Sequence, residues 1–100
     1  MIIEPAKMSG EKTASTAIYA RPCLLAAVDI LPPSTGSATL KIYDNASAAS
    51  GTIIFEASVV AGTAATSVNM SMARYAQYGL YASWTNTSGD SAFNVGFIAG

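Results

Sequence analysis

Ala38-Thr39-Leu40-Lys41-Ile42-Tyr43-Asp44 places Leu40 and Ile42 on one side of an extended chain and Lys41 and Tyr43 on the other. Alternation of this kind marks a strand with one buried face. Before it, Pro32-Pro33-Ser34-Thr35-Gly36 is a turn by composition. After it, Asp44-Asn45 opens a loop that runs through Ala46-Ser47-Ala48-Ala49-Ser50 to Gly51. Asx side chains cap such loops, and glycine frees the backbone to re-enter a strand.

The same rhythm continues toward the C-terminus. Over Thr52 to Val60, residues Ile53, Phe55, Ala57 and Val59 share one face, and Ile54 and Glu56 share the other. Ile54 and Tyr43 are expected to meet as a cross-strand pair on the outer face. Gly62-Thr63 turns the chain, and Ala65 to Met72 follows with Val68, Met70 and Met72 inward. Arg74-Tyr75-Ala76-Gln77 reads as a connection with one short helical turn. In Tyr78 to Asn86, Leu80, Ala82 and Trp84 alternate with Tyr81, Ser83 and Thr85. A loop at Asn86-Thr87-Ser88-Gly89-Asp90 returns the chain into Ala92 to Ile98, with Phe93, Val95 and Phe97 inward. Gly96 either leaves space for Trp84 or marks a bulge.

Toward the N-terminus, Cys23 to Leu31 is apolar on both faces apart from Asp29. That pattern suits a strand buried on both sides or one covered by a partner. A short helix competes, but Val28, Ile30 and the close at Pro32-Pro33 favour a strand. Thr13 to Ala20 alternates weakly, and Pro22 suits a bend or an edge. Residues 1–12 hold Glu4, Lys7, Glu11 and Lys12 with no strand or helix period, and read as an extended N-terminal arm. Ile2, Ile3 and Met8 give that arm apolar groups to bury.

About seven strands, separated by turn signals roughly every ten residues, predict an all-β fold: a compact antiparallel β-sandwich, Ig-like or jelly-roll-like. It forms one domain over residues 13–100, preceded by the arm 1–12. The expected core is Leu24, Ala26, Val28, Ile30, Leu40, Ile42, Ile53, Phe55, Val68, Met70, Leu80, Trp84, Phe93, Val95 and Phe97.

The outside of this domain is short of charge. Only 11% of the 100 residues are charged, with five basic, six acidic and a net charge of −1. Monomers ordinarily keep apart with a denser charged coat, so a surface of Ala, Ser, Thr and Asn suits contact with other protein. Lys7, Lys12, Arg21, Lys41 and Arg74 are scattered, which argues against nucleic acid. The opening residues carry no signal-peptide pattern, and Gly62 and Asn69 break the longest charge-free stretch, so neither secretion nor a membrane is expected.

Catalysis finds little support. There is no histidine to act as a base or metal ligand, and Cys23 is the single cysteine. It therefore forms no disulfide within the chain, and its apolar neighbours suit a buried small hydrophobe. The carboxylates Glu4, Glu11, Asp29, Asp44, Glu56 and Asp90 show no pairing, and calcium at Asp44-Asn45 lacks the alternating acidic ligands of a strong site. Gly89-Asp90-Ser91 spells an esterase tripeptide without a base for Ser91. The triplets beginning at Asn45, Asn69 and Asn86 match the glycosylation pattern by chance. No catalytic residue, cofactor or metal is expected. The aromatics Tyr19, Tyr43, Tyr75, Tyr78, Tyr81 and Trp84 suit core and subunit contacts better than a sugar platform.

Ala38 to Asn45, then Ser50-Gly51-Thr52-Ile53-Ile54-Phe55, then Tyr78-Gly79-Leu80-Tyr81-Ala82 with a Thr-Ser-Gly turn and closing strand, resemble small tailed-bacteriophage virion proteins. The resemblance covers roughly residues 18–98. It implies a structural role, a capsid decoration or cement subunit, and brings no catalytic residues. It implies location in the virion after synthesis in the host cytoplasm, contacts with the major capsid protein or other virion proteins, and a homo-oligomer, expected as a trimer. Ile2, Ile3, Met8, Tyr43, Ile54 and Tyr81 are the expected contact residues. Two rivals are a tail- or fibre-associated adhesion module for host surface carbohydrate and a monomeric binding module.

Overall fold

The computed structural model describes residues 7–63, 65–86 and 91–99, with the backbone alone over 66–72. Eight strands follow in order: β1 (Lys7–Met8), β2 (Thr16–Tyr19), β3 (Cys23–Leu31), β4 (Ser37–Asp44), β5 (Ile53–Val60), β6 (Thr66–Ala76), β7 (Leu80–Asn86) and β8 (Ala92–Ala99). They form two four-stranded antiparallel sheets, β1-β8-β3-β6 and β2-β7-β4-β5. The chain is all-β, and no helix occurs among the described residues. The expected helical turn at 74–77 is instead the end of β6 and a bend. Tyr75 and Ala76 lie opposite Leu24 and Cys23 in the ladder, and those pairings hold the backbone extended.

The pairs β1–β8, β2–β7, β3–β6 and β4–β5 are those of one long hairpin rolled over on itself. With its strands alternately assigned to two sheets, this hairpin makes the jelly-roll order rather than the Ig-like one. From Lys7 onward, the segment read as an arm lies along β8 of its own chain, and residues 1–6 lie outside the described residues. Lys7 and Met8 pair with Phe97 and Gly96, and Lys12 exchanges backbone hydrogen bonds with Phe93 at 2.8 and 2.9 Å. Ser9 and Ser15 extend the short edge strands with their hydroxyls. The Val95 N–H donates to Ser9 Oγ at 3.0 Å, and the Trp84 N–H to Ser15 Oγ at 2.8 Å.

Between the sheets, Val28, Ile30, Leu40, Ile42, Leu80, Trp84, Phe93, Val95 and Phe97 are buried, as their alternation predicts. Two aromatic contacts tie the sheets together: Trp84 with Phe93, and Tyr19 with Phe97, each with ring centroids 4.9 Å apart. Val68 and Met70 lie outside the described side chains.

Two bulges overturn other parts of the expected core. In β3 the pairing with β8 passes from Leu25↔Phe97 to Ala27↔Gly96, so two steps on β3 match one on β8. The extra residue reverses the inward face. Cys23 and Leu25 are buried before it and Val28 and Ile30 after it, while Leu24 and Ala26 are only half-buried. In β5 the pairing with β4 passes from Phe55↔Ile42 to Ile53↔Tyr43. Ile53 is therefore exposed at 43%, while Ile54 and Phe55 pack against the edge of the core. The room at Gly96 serves Met8 and Ala27 rather than Trp84. A Cβ on Gly96 would stand 3.0 Å from Met8 Sδ and 3.3 Å from Ala27 Cβ.

Candidate interaction surface

The outer face of the β2-β7-β4-β5 sheet is built by the residues that alternate with the core. Its first row crosses four strands as Ala17, Tyr81, Tyr43 and Ile53. The next rows are Ser83, Lys41 and Glu56, then Thr85, Thr39 and Ser58. Lys41 and Glu56 stand opposite each other in the register, so the charges on these rows offset each other locally. What remains is hydroxyl, tyrosine and isoleucine, a composition suited to protein contact.

Of the residues expected to make contacts, Tyr43 and Tyr81 are brought together as register partners, both half-buried. Ile54 is not beside them. It is the bulged residue of β5 and packs toward the core, and Ile53 takes its place opposite Tyr43. Met8 is 49% exposed, but it belongs to the other sheet. Ile2 and Ile3 lie outside the described residues. Among the described residues, the exposed large apolar groups that alternation did not single out are Leu31, Ile53, Val60, Tyr75 and Tyr78. Leu31 could have been found by its position at a strand end before Pro32-Pro33. Ile53 could not, because three apolar residues in a row hide which one a bulge turns outward.

The opposite sheet carries an apolar groove of about 270 Å³ between Pro22, Leu24, Tyr75, Ile98 and Ala99, with Cys23 also lining it. Cys23 is 2% exposed, and its thiol is pushed up to about 11, first by burial and then by the negative charge of Asp44. A raised thiol pKa keeps the folded state protonated while the unfolded chain ionises near its ordinary value of 9.0. Stability is therefore unaffected by this group below that value and falls as pH rises from 9.0 toward about 11. The same protonation makes the folded thiol unreactive. At pH 8 an aromatic disulfide reagent is expected to label native Cys23 at least ~100-fold more slowly than the urea-unfolded chain. Equal rates would show the thiol to be open to solvent.

Asp44 is committed to structure. Its two carboxylate oxygens accept the backbone N–H groups of Gln77 and Tyr78 at 3.0 and 2.8 Å. Asn45 Oδ1 accepts the N–H groups of Ser47 and Ala48 at 2.9 and 3.0 Å, and its amide donates to Ser50. Both residues of the considered calcium loop thus serve the turns. No group of three His, Cys, Asp or Glu that could hold a metal occurs among the described residues. The Ser91 hydroxyl is buried with no partner among the described residues, as is Trp84 Nε1. Asp90 and the loop before it lie outside the described residues. No described helix is long and apolar enough to cross a membrane.

No protein-family model, no curated protein and no solved structure matches this chain.

Proposed function

We propose that this chain is a structural protein of a bacteriophage particle, a capsid decoration or cement subunit that holds to the shell through protein contacts. The observation that carries the reading is the outer face described above, where Tyr43, Tyr81 and Ile53 form a row next to a single offset charge pair. A jelly roll is also an architecture of capsid domains, which supports the reading by analogy of fold alone. Burying such a face yields about 25 cal/mol per Å² of apolar area, and repetition around a shell multiplies it. The partners are the major capsid protein or other virion proteins, together with further copies of the chain. The working place is the virion.

Mass spectrometry of purified particles of the encoding phage tests this, together with addition of the pure chain to empty capsids. The chain is expected in the particles at a high copy number, and its addition is expected to raise the temperature at which shells disrupt. Absence from particles combined with indifference to empty capsids rejects the reading.

The adhesion alternative draws on Tyr75 and Tyr78, exposed at 61% and 60%. Trp84 no longer belongs to it, because its ring packs on Phe93 in the core. A glycan-array signal lost in Tyr78→Ala would favour adhesion over decoration.

A further inference from the structure

Four strands end the two sheets: β1 and β6 in one, β2 and β5 in the other. Three of them are poor templates for another strand. β1 has two residues and β2 four. The pairing of β6 with β3 jumps from Arg74 to Asn69. By contrast, β5 keeps an unbroken register with β4 from Phe55 to Val60. It has no proline, and its one charge, Glu56, lies opposite Lys41. Natural sheet edges are ordinarily shortened, bulged, covered or charged to prevent pairing.

The direction of its hydrogen-bonding groups follows from the ladder. The Ala61 N–H donates to the Gly36 carbonyl at 2.9 Å, which makes those two a hydrogen-bonded pair. Alternation then turns the N–H and C=O of Glu56, Ser58 and Val60 away from β4. The Thr39 and Ser58 hydroxyls meet at 2.8 Å, as expected where opposed residues are not a hydrogen-bonded pair. Two carbonyls flanking this stretch are already occupied. Val60 O accepts the Thr63 hydroxyl at 2.7 Å, and Ile54 O accepts the Arg74 guanidinium. They stand equally far along the chain from Ala57, so the open window is symmetric: Glu56 and Ser58 with Ala57 at its centre.

We propose that β5 pairs, antiparallel, with β5 of a second copy of this chain about a twofold axis through Ala57. Glu56 and the second copy's Ser58 then exchange backbone hydrogen bonds, and symmetry repeats the exchange. Both occupied carbonyls keep their own partners. Each Glu56 side chain faces a serine and not the other Glu56, so no like charges are directly opposed. Phe55 and Ala57, half-buried at the margin of the core, gain cover from the added strand. The assembly is a dimer with a continuous eight-stranded sheet, in place of the trimer expected from the sequence. It does not depend on the virion reading.

Ser58 is exposed and points out of the sheet, so substitutions there leave the fold intact, which circular dichroism checks for each variant. Sedimentation equilibrium at low salt, from micromolar to near-millimolar protein, is expected to show a monomer–dimer equilibrium for the wild type. Ser58→Glu sets two acidic pairs in opposition and weakens the dimer by about tenfold, whereas Ser58→Lys faces Glu56 and tightens it by a similar factor. A wild-type monomer throughout the range, a trimer, or association that shifts the same way or not at all in both variants overturns the proposal. Absence of the chain from particles together with indifference to empty capsids would remove the virion reading and leave this one standing.

Discussion

Gly79→Ala is expected to remove a large share of the stability of the domain. The residue lies between the bend at Gln77 and Tyr78 and the start of β7, at a φ of +143°. A Cβ built there stands 2.3 Å from the Tyr19 carbonyl oxygen and 3.1 Å from Ala20 Cα. Both obstacles are backbone, so no side-chain rotation relieves the clash. The bend cannot simply swing away either, because Asp44 holds the Gln77 and Tyr78 N–H groups. Strained backbone and a steric conflict together are expected to cost about 3–4 kcal/mol. Against a typical total of about 5–15 kcal/mol, that is roughly a fifth to four fifths of the stability. For a chain of this length the midpoint should fall by roughly 12–25 °C in a thermal melt followed by circular dichroism. A change within about 0.5 kcal/mol, the range of harmless surface substitutions, would show that the β2 end and this bend are not in contact.

The second large effect separates two neighbouring leucines. Leu25 is fully buried and Leu24 half-buried, because the bulge after Leu25 sets the inward face of β3. Leu25→Ala is expected to lose about 3 kcal/mol, from lost transfer energy and the cavity left behind. Leu24→Ala empties part of an open groove and should cost under about 1 kcal/mol. Uninterrupted alternation through Leu24, Ala26, Val28 and Ile30 demands the reverse order. Urea unfolding of both variants decides between them, and a larger loss at Leu24 would remove the bulge.

This inversion bears on the surface as well as the core. The groove beside Cys23 exists because Leu24 faces outward with Ile98 and Tyr75 as its register partners. Ile53 joins the row of Tyr43 and Tyr81 because the β5 bulge places it, not Ile54, beside Tyr43. In each case one extra residue on one strand moves an apolar side chain from the interior to a face that can meet a partner.

Alternation in β4, β7 and β8 needed nothing beyond the local chain to be read. Leu40, Ile42, Leu80, Trp84, Phe93, Val95 and Phe97 are inward as their spacing implies, and the jelly roll was one of the two expected sandwiches. The shortage of charge and the absence of histidine were equally visible in composition. The makeup of the outer face was legible only in part: Tyr43 and Tyr81 share a row as their alternation implies, whereas Ile53 stands where Ile54 was expected.

Side-chain direction within a regular strand is a property of the residue and its neighbours, so the sequence by itself determined an all-β chain and most of its inward aromatic and aliphatic residues. Strand order, the two bulges, the docking of Lys7–Lys12 on β8 and the open edge at β5 were decided by the tertiary structure. Each depends on which distant strand pairs with which and in what register. That is a competition among non-local hydrogen bonds and packed faces, and no short window of sequence contains both competitors.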